Sequence, residues 1–197
     1  MDSNRTPTPA DGLYLALGRF VVEFSQFVQN LRFGVIDLGV VEGRYLESPD
    51  GAPPKVLEIL TAELTAEPLR MAFFATCHAL VDLDPDEEKI RDDLAKRAEN
   101  LIQTRNVVQH ALWMARGGDP DTAWELPLAA HERRKFSPEG ISGKRSIEQT
   151  IPELERMADE AAEMSSLIAA FAAGCARQYG SRVRDTLRLH EGQAVRR

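Results

Sequence analysis

The chain has 197 residues, 43% hydrophobic and 28% charged, which suits one globular domain of moderate size able to bury a real core. Lysine plus arginine total 24 against 31 for aspartate plus glutamate, a net charge of −7. That balance argues against a protein that coats DNA, whose affinity comes mainly from cations on phosphates. It leaves room for a small RNA site with a local basic rim.

After a polar, proline-containing leader over residues 1–12, the spacing predicts a long helix from Leu13 to about Tyr45. Leu13, Leu17, Phe20, Phe24, Phe27, Leu31, Val35 and Leu38 recur every three or four residues. Gly34 and Gly39 weaken that stretch and permit a bend or a close helix contact. Ser48 to Pro54 is a loop by its turn residues. A helix follows from Lys55 to about Ala66, and Pro68 suits the first position of another, over Leu69 to Leu83. Asp84-Pro85-Asp86-Glu87-Glu88 is a helix start, with an acidic N-cap, proline next and acids on the positive dipole end. This helix is expected to reach about Ala115, where Gly117-Gly118-Asp119-Pro120 stops it. Between Thr122 and Thr150 the helical period disappears, and Ala123–Leu128 and Lys144–Glu148 are candidate strands of a short hairpin. Thr150 then caps a last long helix, with Pro152 in its first turn, running to about Gln178. The expected fold is all-α: a single domain over residues 1–197, an antiparallel helical bundle with a short irregular or β-hairpin excursion near 120–150.

Basic residues cluster in two places. Six arginines lie between Arg177 and Arg197, against Asp185 and Glu191, and residues 180–197 read as a basic tail. Arg133-Arg134-Lys135 with Lys144 and Arg145 form the other cluster. Both either line a nucleic-acid path or are simply solvated. Cys77 and Cys175 are far apart in apolar surroundings, which argues against a disulfide framework and for a reducing cytoplasm. The first twelve residues lack the order of a signal peptide, and the apolar stretch Leu167 to Ala176 is too short to span a bilayer. A cytoplasmic protein without a membrane span is expected. The histidines His78, His131 and His190 do not assemble a metal centre by spacing, and no phosphate-binding glycine loop is present, so neither metal nor cofactor is expected.

The segment Arg105-Asn106-Val107-Val108-Gln109-His110 carries most of the chemistry. It places a permanent cation, an amide and a titratable imidazole within about two helical turns. Arginine can hold a phosphate through a planar fork of donors, and histidine can move a proton near neutral pH. The apolar stripe of this helix is Ile90, Leu94, Ala98, Leu101, Val108 and Leu112. Arg105 interrupts it, and a guanidinium there is expensive unless paired or facing a cavity. Either it serves a site or it bridges to an acid on another helix, such as Glu23. His110 lies about 140° around the helix from Arg105, so the two converge only through the reach of arginine or with a second copy of the chain. Asn106, His110 and Trp113 are expected to share a face, where Trp113 either stacks a base or packs as a wall.

Arg105-Asn106-x-x-x-His110 resembles the Arg-x(4–6)-His signature of the HEPN superfamily, which often has asparagine directly after the arginine. Leu17 to Ser25 is similar to the first helix of bacterial HEPN-like proteins, and Arg105 to Trp113 to their motif helix. The likeness covers Asp11 to Arg116 and the last long helix. It implies a helical bundle that dimerises so that two motifs face one composite cleft, and a metal-independent endoribonuclease, often a toxin or defence effector. Other such proteins are inactive modules that bind a protein or nucleotide partner. By that resemblance Arg105 would hold the scissile phosphate, His110 would act as general base or acid, and Asn106 would support the geometry. Trp113, Glu23 and Gln26 would contact substrate, and an antitoxin or nucleotidyltransferase would be a partner. Two departures stand out. A toxin subgroup carries a modifiable tyrosine where this chain has Trp113. Many relatives also carry an acid near Gln26, where this chain has Ser25-Gln26, with Glu23 one turn earlier.

Overall fold

The computed structural model describes residues 9–41, 55–110, 112–113, 129–130, 135–137, 140–142, 150–176 and 182–197. Within them the chain is mostly helical, with α1 over Pro9–Val41, α2 over Lys55–Ala62, α3 over Ala66–Leu80, α4 over Pro85–His110, α5 over Ile151–Cys175 and the short α6 over Val183–Thr186. The strands form three antiparallel pairs: β1 (Leu112–Trp113) with β2 (Ala129–Ala130), β3 (Lys135–Ser137) with β4 (Gly140–Ser142), and β5 (Leu187–His190) with β6 (Gln193–Arg196). A helical bundle with a short hairpin is the class expected of the sequence, while β5 and β6 fall in the stretch expected to be a basic tail.

The helix starts follow from local chemistry. Asp84 accepts hydrogen bonds from the backbone N–H groups of Asp86 and Glu87, each at 3.0 Å, while the Asp84 N–H donates to Glu87 Oε2 at 3.1 Å. This is a capping box with an aspartate cap. Thr150 repeats the device on α5: its N–H donates to Glu153 Oε2 at 2.7 Å and its Oγ1 accepts from the Glu153 N–H at 3.4 Å. α3 begins two residues before the expected proline, at Ala66, with Thr65 at the N-cap. Pro68 remains in the first turn, where a missing N–H leaves no bond unmade. α1 starts at Pro9, so the last residues read as leader are already helical.

The chain divides into two compact units. One comprises Met1–Glu23 with Gln103–Glu160. Its core draws Leu13, Ala16 and Phe20 from α1, Val108 from α4, and Ile151, Leu154 and Ala158 from α5. An ion pair joins Arg19 of α1 to Asp159 of α5. The other comprises Phe24–Ile102 with Ala161–Arg197 and buries Phe27, Leu31, Phe73, Leu94, Met164 and Phe171. Phe73 meets Phe171 edge-on with ring centroids 6.2 Å apart. Gly34 of α1 lies against this cluster: a Cβ there would come within 2.8 Å of Phe73 Cδ2. The glycine serves a close helix contact.

The stretch read as a basic tail is folded from Arg182 onward. β5 and β6 pair in register from Leu187↔Arg196 to His190↔Gln193, joined by the two-residue turn Glu191-Gly192 with φ of 51° and 81°. Positive φ at both turn residues matches the right-handed twist of a tight hairpin. Leu187 and Ala194 are fully buried. Asp93 and Arg97 of α4 clip the hairpin by its backbone: Asp93 Oδ2 accepts from the Ala194 N–H at 2.8 Å, and Arg97 Nη1 donates to the Ala194 carbonyl at 3.0 Å. Arg97 also donates to Glu163 of α5 at 2.9 Å. The expected strands Ala123–Leu128 and Lys144–Glu148 lie outside the described residues, as does most of the second basic cluster.

Candidate functional site

α4 carries the candidate motif on its last turns. Leu101 is 1% and Val108 4% exposed, and Arg105 sits between them on the same stripe, half-buried. The expectation that Arg105 interrupts a buried face therefore holds. Its Nη1 donates to Oδ1 of Asn106 at 3.3 Å. That bond turns the amide oxygen toward the guanidinium and joins the two groups on one exposed edge of the helix. A planar donor fork in such a position matches the oxygens of a phosphate better than the point charge of a lysine does.

His110 is the last residue of α4. The helix stops five residues short of the expected end, because Leu112–Trp113 pairs instead with Ala129–Ala130, Leu112 opposite Ala130 and Trp113 opposite Ala129. Helical propensity is a weak preference that such pairing overrides. Asn106, His110 and Trp113 thus do not share one helical face, and Trp113 belongs to a strand. Glu23, weighed as a partner for Arg105, is half-exposed on α1, and Gln26 is exposed three residues further along that helix.

Other chemistry is less suited to a reaction. Among the described residues no group of three His, Cys, Asp or Glu side chains is placed to hold a metal ion. Cys77 and Cys175 are buried free thiols. A hydrogen bond to Cys77, reinforced by burial, pushes the Cys175 thiol far above its usual range, so it is no nucleophile at neutral pH. His78 Nδ1 lies 3.3 Å from Arg91 Nη1 at the surface.

A concavity of about 370 Å³ that the sequence did not reveal lies at the start of α4, lined by Asp84, Glu87, Ile90, Arg184, Leu187 and Arg188 among others. Its acids are already engaged. Glu87, only 3% exposed, accepts from the Asp84 and Arg184 N–H groups, and Arg184 Nη1 donates to Asp84 Oδ2 at 3.2 Å. These contacts fasten the C-terminal segment to α4. The signal in the sequence was the acidic cap itself, but its partners lie about a hundred residues away and no local pattern announces them.

Among the described residues no helix is long and apolar enough to cross a membrane. Comparison of the chain with protein-family models, curated proteins and solved structures finds no match.

Proposed function

We propose that the chain is a HEPN-like, metal-independent endoribonuclease, acting in the cytoplasm as a homodimer on single-stranded or structured RNA, in the role of a toxin or defence effector. The observation that carries this reading is Arg105: a guanidinium half-buried on the apolar stripe of α4, hydrogen-bonded to Asn106, five residues before His110. A guanidinium beside Leu101 and Val108, steadied by Asn106, presents a planar donor fork of the kind that binds phosphate oxygens.

In this reading the RNA supplies its own nucleophile. The ribose 2′-oxygen attacks the adjacent phosphorus as its proton passes to a general base, and the bond to the 5′-oxygen breaks as that oxygen gains a proton. The products are a 2′,3′-cyclic phosphate and a 5′-hydroxyl. His110 serves as base or acid. Arg105 stabilises the charge that develops on the phosphoryl oxygens, and Asn106 steadies the guanidinium. A second copy supplies the opposite half of the cleft, and an antitoxin is the expected restraint on activity, since Trp113 stands where a nucleotidyltransferase would need a tyrosine.

Induced expression tests the reading. Wild type is expected to arrest growth, and Arg105→Ala and His110→Ala are each expected to relieve the arrest while staying folded. Equal toxicity of all three proteins would sink it. A non-catalytic module that binds a protein or nucleotide is the second reading, favoured by the net charge of −7 and by Ser25-Gln26 standing where many relatives carry an acid.

A further inference from the structure

The hairpin of β5 and β6 has two outer edges, and the chain treats them differently. Just past the strands the Arg197 N–H donates to the Thr186 carbonyl at 2.9 Å. Hydrogen-bonded and non-hydrogen-bonded pairs alternate along an antiparallel ladder. Leu189 and Ala194, which lie opposite one another, are therefore a non-hydrogen-bonded pair whose N–H and C=O groups point off the two edges. On the β6 edge α4 covers both Ala194 groups, the N–H with Asp93 and the carbonyl with Arg97. On the β5 edge the Leu187 N–H turns back to the Val183 carbonyl. Among the described residues the Leu189 N–H and C=O meet no partner. An edge left open in this way is a template for another strand.

The concavity of about 370 Å³ at the start of α4 runs along this open edge, lined by Leu187, Arg188 and Leu189 of β5 and by no residue of β6. Its acids are committed. Asp84 pairs with Arg184, Glu87 accepts from two backbone N–H groups, and Asp86 Oδ1 accepts from Lys89 Nζ at 2.8 Å. Two of its cations are not. Arg188 and Arg197 are exposed, and among the described residues neither guanidinium enters an ion pair or a hydrogen bond. Arg188 pairs across the ladder with Val195, and Arg197 lies two residues beyond Val195, so both arginines belong to one face of the hairpin. Leu187 and Leu189 belong to the other.

We propose that this edge takes an extended, acidic peptide segment of a partner protein, which adds to β5 as a third, antiparallel strand. The peptide residue opposite Leu189 exchanges two main-chain hydrogen bonds with it, satisfying both of its open groups. The next peptide residue stands opposite Arg188 on the arginine face, where a carboxylate finds an unpaired guanidinium, with Arg197 on the same face. Peptide residues opposite Leu189 and Leu187 turn to the other face, where Leu187, Leu189 and Ile90 offer apolar surface. The preferred segment therefore alternates acidic and apolar residues. Main-chain bonds supply affinity and the alternate side chains supply selectivity. A small anion would engage the arginines but leave Leu189 unsatisfied. A nucleic-acid strand has no ladder of N–H and C=O groups to match the edge. The proposal does not rest on ribonuclease activity, and none of these residues belongs to the Arg105 motif.

Fluorescence anisotropy on the full chain tests it, with a short labelled peptide of alternating valine and glutamate as the probe. That peptide is expected to bind at least about tenfold tighter than one alternating valine and lysine, a difference of about 1.4 kcal/mol. Arg188→Glu is expected to reverse the preference while leaving the far-ultraviolet spectrum unchanged. If Arg188→Glu disturbs the fold, Arg197→Glu carries the same readout. Hydrogen exchange at the Leu189 amide should slow when the glutamate peptide is added. Methylation of the peptide's backbone nitrogens should abolish both the binding and that protection. No binding of the glutamate peptide, equal binding of the two peptides, or an unprotected Leu189 amide in the complex overturns the proposal. So does displacement of the peptide by an equal concentration of inorganic phosphate, which would make the concavity a small-anion site.

Discussion

Arg105 occupies a position that the periodicity of α4 reserves for an apolar side chain, and that mismatch was visible before any coordinate. A charge half-buried on an apolar stripe is a local conflict, and such conflicts gather at functional sites. Replacing Arg105 by lysine keeps the charge but removes the planar fork. On the proposed function Arg105→Lys should lower RNA cleavage at least about a hundredfold, on the scale of losing one transition-state donor, while thermal stability changes little. Cleavage at the wild-type rate would contradict the role given to the guanidinium. Asp84 offers a test of a different kind. Hydrogen bonds from the backbone N–H groups of Glu87 and Asp86, with Arg184 nearby, hold its carboxyl below the usual 3.8. A depressed folded pKa gives stability that is present above the unfolded value and lost as pH falls through the folded value. Asp84→Asn keeps a good N-cap but removes the titration. Wild type should therefore melt higher than the variant near pH 6, and the gap should close as pH falls below 3.8. A gap independent of pH would contradict the assignment.

Helix starts were legible because they are written in adjacent residues: Asp84 and Thr150 cap α4 and α5 as the sequence indicated. Helix ends were less so. The apolar period of α4 runs on to Leu112, yet the backbone there pairs with Ala129–Ala130, a partner that no local pattern reveals. The C-terminal hairpin was hidden for another reason. Leu187 and Leu189 with the Glu191-Gly192 turn carry the strand signal, but strands of four residues set among arginines equally fit a solvated basic tail. At this scale two glycines on different helices should respond in opposite ways to the same substitution. A Cβ on Gly174 of α5 would lie 2.7 Å from both the N and the Cα of Val183, backbone atoms that cannot swing aside. Gly174→Ala is expected to destabilise by about 1–3 kcal/mol. Gly18→Ala, in open space on a helix, is expected to stabilise by about 0.5–1 kcal/mol. Denaturant melts at low protein concentration check both, and a neutral Gly174→Ala would mean that α5 and the C-terminal segment do not meet as closely as they do here.

At the scale of the whole molecule the all-α class followed from periodicity, while the proposed site did not follow from it completely. Six consecutive residues suggested the chemistry, but positions 105 and 110 fall about 140° apart around one helix, so the proposed centre calls for more than this helix alone. The exposed Tyr14, Leu15, Val21 and Val22 of α1 were not legible in the sequence because the same helix also carries the core stripe. The central claim remains that this chain cuts RNA through His110 without a metal. The direct measurement is to incubate purified wild type and His110→Ala with a mixed RNA pool in EDTA and to map the chemistry of the new ends. The account predicts cleavage by wild type alone, leaving 2′,3′-cyclic phosphate and 5′-hydroxyl ends. No cleavage by wild type, or equal cleavage by the variant, would contradict it.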